Sequence, residues 1–300
     1  MRYSRLKKRK TKQRYAAFVL IVLLVFGVIY VLSAGTLGKF VSNLISPILS
    51  RDGSPDATDG VSDGEPILTV PDDNGNPTDE PAADTAKITE TLKANALSMF
   101  AIQMGAFTDS ANAETFAQEL RSKGGAGYIL NDGFYRVLAI GFQTEGDAKQ
   151  VKEELKAEGI ESHVYQIASA GVDMKITATE ANVSAIRSAY EMWKEKYAAL
   201  EKIIKDLDSD TISPSAAYGQ IEEIKKAMEQ KRDELQALNA KQNNNAILSG
   251  LVSLYESENQ SLDEILSQNS SDKVAISSKI KYTDIEMLMR YKDYMEQITK

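Results

Sequence analysis

The sequence predicts an α+β protein. A split-βαβ domain, with a four-stranded antiparallel sheet and two helices, precedes an all-α helical bundle, and one transmembrane helix comes before both. Three observations lead there. Slid by 35 residues, the chain repeats itself: Phe100 falls on Tyr135, Ile102 on Val137, Phe107 on Phe142, Leu120 on Leu155 and Gly124 on Gly159. Beyond Thr179 the apolar residues recur at helical spacing to the end. Near the start, an uncharged apolar run of 18 residues, 15–32, follows eight basic residues and no acidic one.

That run is about the shortest that can cross a bilayer as a helix. Residues 1–14 are expected in the cytoplasm, because basic flanks stay inside. Residues 15–34 are expected to span the cell membrane as a retained single-pass anchor that sends the rest of the chain outside. Residues 35–97 read as a juxtamembrane segment and a disordered linker. Within it, residues 52–84 hold five prolines, ten acidic residues and no lysine or arginine, too little apolar surface to offset the entropy of ordering. Such a coil averages ~30 Å end to end and reaches ~100 Å when stretched.

In residues 98–167 each copy of the repeat opens with an alternating run, FAIQMGAF and then YRVLAIGF, the pattern of a half-buried strand. An amphipathic helix follows, with Ala113, Phe116, Ala117 and Leu120 on one face in the first copy and Ala148, Val151, Lys152 and Leu155 in the second. Glycines 124 and 159 stop the helices, and a short strand closes each unit. Two such units make a sheet with both helices on one face, which leaves the other face free for a ligand. Alternation then places Phe100, Ile102 and Met104 towards the helices and Ala101, Gln103 and Gly105 on the open face. In the third strand it buries Tyr135, Val137 and Ala139 and exposes Arg136, Leu138 and Ile140. Gln103 is an amide, donor and acceptor at once, among small neighbours. Leu138 and Ile140 can meet the apolar face of a sugar ring. His163 and Tyr165 lie on a strand whose register the sequence does not fix.

The motifs Ile102-Gln103-Met104-Gly105-Ala106-Phe107 and Tyr135-Arg136-Val137 with Phe142 resemble the two strand signatures of the SPOR domain, the sporulation-related repeat. The resemblance implies that the domain binds peptidoglycan glycan strands stripped of their stem peptides, at a division or sporulation septum. It matches Gln103 to the family's groove glutamine and places Ala106 where some members carry a hydroxyl. The glycan-binding residues expected are thus Gln103, Gly105, Ala106, Arg136, Leu138 and Ile140. With an anchor ahead of such a domain, the architecture is similar to that of stage II sporulation protein B type proteins.

Residues 175–300 read as the helical domain. Ile186, Tyr190, Trp193, Tyr197, Leu200, Ile204 and Leu207 stripe one helix, and Ser213-Pro214 is an N-cap with proline at the first helical position. Asn243-Asn244-Asn245 breaks the next helix, and a last one starts near Ser271. This much apolar surface predicts a unit that folds alone and recruits a protein partner or a second copy.

Enzyme chemistry finds little support. The chain has no cysteine and one histidine, His163, with no H-E-x-x-H or G-x-S-x-G pattern. Neither a catalytic residue, a metal site nor a cofactor is expected. Residues 98–167 carry six basic and ten acidic residues, a net −4 that would repel a nucleic-acid backbone. The expected activity is non-catalytic glycan binding. The alternative is a structural protein in which the helical domain recruits the partner and the repeat no longer binds sugar.

Overall fold

The computed structural model describes residues 68–69, 86–241 and 245–299. The expected anchor, residues 15–34, and most of the expected linker lie outside them. Among the described residues no helix is long and apolar enough to cross a membrane.

In chain order the elements are β1 (Leu68–Thr69), β2 (Lys87–Ala94), β3 (Leu97–Phe107), α1 (Ser110–Ser122), β4 (Tyr128–Asn131), β5 (Tyr135–Phe142), α2 (Glu145–Ala157), β6 (His163–Ser169) and β7 (Val172–Thr179). Four long helices follow: α3 (Glu180–Asp208), α4 (Pro214–Lys241), α5 (Ala246–Ser267) and α6 (Lys273–Ile298). The repeat forms a four-stranded sheet of order β4-β5-β3-β6, antiparallel throughout. Local chemistry sets its helices. Asp109 Oδ1 accepts from the N–H of Asn112 at 2.9 Å and Thr144 Oγ1 from that of Asp147 at 3.2 Å, each satisfying an otherwise orphaned donor. Gly124 and Gly159 end the helices at φ 87° and 77°, a region costly for residues with a Cβ.

A second sheet, of order β1-β7-β2, takes β1 and β2 from the expected linker, and its β7 corrects the expected start of the helical domain, since residues 175–179 are strand and the helices begin at Glu180. β2 pairs with β7 from Lys87↔Thr179 to Ala94↔Val172, and β3 with β6 from Leu97↔Ser169 onwards. The two pairs are therefore one long ribbon, bent between residues 94–97 and 169–172. At the bend a Cβ on Gly171 would sit 3.0 Å from the Ala94 carbonyl oxygen, so glycine is what lets the two turns pass. The expected linker thus ends at residue 86 or earlier, and the sheet needs Val172, Met174, Ile176 and Ala178, all buried on one face of β7.

The helices follow the predicted breaks closely. Ser213 Oγ accepts from the N–H of Ala216 at 3.2 Å ahead of α4, Asn245 Oδ1 accepts from Ile247 and Leu248 at α5, and Asp272 caps α6. They do not form a separate body. α3 packs on β2 and β7, and α6 packs against all four strands of the repeat sheet. One continuous core runs from Leu92 to Met295. At its centre Trp193 meets the rings of Tyr255 at 5.4 Å and Tyr291 at 6.3 Å. Tyr291 then donates to the Asn95 carbonyl at the ribbon bend, at 2.8 Å. Ser278 and Lys281 donate to the carbonyls of Gly125 and Gly124, at 2.8 and 2.9 Å. The expectation of a helical unit independent of the repeat is corrected by these shared contacts.

Covering by α6 also changes the sheet. α1 and α2 take one face. On the other, the cross-strand partners Met99 with Ile167 and Ala101 with Gly141 are buried, where an open face was expected. Packing there is tight: a Cβ on Gly141 would lie 2.1 Å from Met99 Sδ. Gly141→Ala is expected to cost ~1–3 kcal/mol through this overpacking, measured as a shift of the denaturant midpoint with an unchanged slope. No shift would mean that Met99 repacks freely.

Candidate functional site

β3 and β5 depart from a regular ladder where the site forms. Ile102 pairs with Ile140, Gln103 with Leu138 and Gly105 with Val137, so Ala139 on one strand and Met104 on the other are each left without a partner. Each extra residue is a bulge that turns the side chains beyond it. Gln103 and Arg136 come together as a result: Arg136 Nη1 donates to Gln103 Oε1 at 3.0 Å.

Around this pair the β4–β5 turn, Asn131-Asp132-Gly133-Phe134, folds back over the sheet. Gly133 takes φ 104°, and Asn131 Oδ1 accepts from its N–H at 3.3 Å. Arg136 Nε donates to both oxygens of Asp132, at 2.9 and 2.8 Å, and Tyr165 Oη donates to Asp132 Oδ2 at 2.7 Å. The guanidinium carbon lies 4.9 Å from the ring centre of Tyr165 and 5.7 Å from that of Phe134, within cation–π range. The hydrogen bond from Arg136, and then that from Tyr165, hold the Asp132 carboxyl below its ordinary pKa. The same bond to Asp132 raises the phenol of Tyr165. The cluster is therefore a closed ion pair braced by a phenol and an amide. Beside it stands Phe134, an aromatic ring 47% exposed.

The six expected site residues separate. Arg136 is at the centre of the cluster. Ala106 is exposed and pairs with Arg136. Gln103 is 6% exposed and supports Arg136 from beneath, where a solvated amide was expected. Gly105 is corrected to the helix-covered face, since a Cβ there would meet Phe107 and Phe116. Ile140 is corrected too: it pairs with Ile102, expected on the helix side, and the bulge at Ala139 puts the two on one face. Leu138 pairs with Gln103 and with Tyr128, whose ring packs 5.1 Å from Tyr282 of α6, and it is fully buried.

Sequence reasoning passed over Asp132 and Phe134. The signal was present: an Asp-Gly turn between two apolar strands marks a hairpin, and an aromatic at its tip has no part in the core. Tyr165 joins them, while His163 pairs with Gln103 at the exposed start of β6.

No curated protein and no solved structure matches the chain. The family model described as the SPOR domain matches residues 97–166, which span β3 to β6 with the turn and the cluster between them. These residues are a SPOR domain.

Proposed function

We propose that this chain binds peptidoglycan glycan strands freed of stem peptides, without catalysis, at the end of the SPOR sheet that α6 leaves uncovered. SPOR domains are in general peptidoglycan-binding domains of division proteins. The observation that carries the reading to these residues is the Gln103–Arg136–Asp132–Tyr165 cluster with exposed Phe134 at its rim. An aromatic ring offers the flat apolar surface that a pyranose face requires, and fixed polar groups beside it orient the sugar. A single-pass anchor at residues 15–34, with the N-terminus in the cytoplasm, would hold the domain outside the cell near a division or sporulation septum.

Retention of the full chain on purified sacculi tests the reading. Strong retention after amidase treatment, weak retention before it and a drop of about tenfold for Phe134→Ala are the results expected. Absence of retention on treated sacculi would contradict it. Cover by α6 favours a second reading, in which the SPOR fold is a docking platform for the chain's own helices and the helices recruit a protein partner or a second copy. That reading predicts no retention on either kind of sacculus.

A further inference from the structure

We infer that the site reads the N-acetylated sugar ring and not the lactyl carboxylate that amidase action frees, so that its ligand class is N-acetylhexosamine glycans at large, chitin oligosaccharides among them. This rests on the glycan-binding reading above and refines it. Arg136 is the cation of the cluster, and its charge is already matched: Nε faces both oxygens of Asp132 at 2.9 and 2.8 Å. A ligand carboxylate brought against the guanidinium would also meet the Asp132 carboxylate already seated on it. Repulsion from Asp132 then offsets part of the attraction. The surplus of four negative charges over residues 98–167 gives a polyanion no further help.

What the cluster has left to offer suits an uncharged ligand. Among the described residues, neither Arg136 Nη2 nor Gln103 Nε2 donates a hydrogen bond of ordinary geometry, Tyr165 being a further, weaker partner of the guanidinium. Both are donors, and an acetamido carbonyl or a ring hydroxyl supplies the acceptor without bringing charge. Phe134, exposed at the rim, can take the acetamido methyl group or the C–H face of the ring. All three features recur in every N-acetylhexosamine unit, with or without a lactyl group.

The test compares three probes on the full chain by titration calorimetry: chitotetraose, a peptide-stripped glycan of matched length, and the same glycan with its lactyl carboxyls amidated. Affinities within about threefold of one another, and steady across a salt range that shortens the Debye length from ~30 to ~8 Å, are expected. Binding of the stripped glycan alone, or binding that falls steeply with salt, would overturn the inference while leaving glycan binding intact. Failure of all three probes to bind would overturn both.

Discussion

Raising the pH is expected to weaken the folded chain, because two carboxyl groups are buried in its helical layer and a third is half-buried. Burial drives Glu201 of α3 up to about 7 and Glu258 of α5 up to about 8. It also drives Asp284 of α6 well above the usual carboxylate range, with Glu201 and Glu258 adding to the rise. The opposing groups fall short. Glu201 accepts one N–H from Gln143 at 3.3 Å and has Lys205 nearby, against Asp147. Glu258 has Arg290 at 3.1 Å, against Glu286. Asp284 Oδ1 and Glu258 Oε1 are buried without a hydrogen-bond partner among the described residues.

A carboxyl with a raised folded pKa keeps its proton in the native state where the unfolded chain has already lost it. Its stabilisation is complete below about pH 4.5 and is lost as the pH rises towards 7 for Glu201 and 8 for Glu258. A carboxyl moved from 4.5 to about 7 or 8 corresponds to roughly 3–5 kcal/mol, or a fall in Tm on the order of 10 °C for a domain of this size. Thermal melts of the wild type across that range should show the fall, and Glu258→Gln and Asp284→Asn should flatten it. A Tm that holds or climbs between pH 4.5 and 8 would show that these carboxyls are solvated in the folded state.

Lys281→Met is expected to be at least as damaging. Lys281 Nζ lies 2.7 Å from Asp208 Oδ2, with both side chains essentially sealed from solvent, and also donates to the Gly124 carbonyl. Ser277 Oγ donates to the other Asp208 oxygen at 2.5 Å. Methionine fills the space but removes the counter-charge from a buried carboxylate and a donor from a buried carbonyl. Breaking a buried pair in this way costs ~3–5 kcal/mol. An apolar pair in the same place is often neutral or better, so Lys281→Met with Asp208→Leu should recover most of the loss. A denaturant double-mutant cycle measures this. Additive losses in the double variant would mean that the two residues act apart.

The parts of the fold legible in the sequence were those set by local chemistry. The repeat, its capped helices, the glycine stops at 124 and 159 and the Ser213-Pro214 start all depend on residues a few positions apart. β7 was legible in principle, since Val172, Met174, Ile176 and Ala178 alternate strictly. β2, rich in threonine and lysine, gains its place only by pairing with β7 across 78 to 92 positions. The site was harder. Strict alternation fails at the bulges at Met104 and Ala139, which no residue type announces, and so Ile140 was assigned to the wrong face. Leu138 carried a hint: an apolar side chain on a supposedly open face is what a covered face looks like. That α6 supplies the cover is a contact between residues more than a hundred positions apart, beyond the reach of periodicity.

Hydrogen exchange of the full chain, with and without peptide-stripped glycan, locates the binding face. Added protection is expected at residues 131–136 and 163–165, around the Asp132–Arg136–Tyr165 cluster, with α6 unchanged. Protection centred on α6, or none anywhere at saturating glycan, would contradict glycan binding at this cluster.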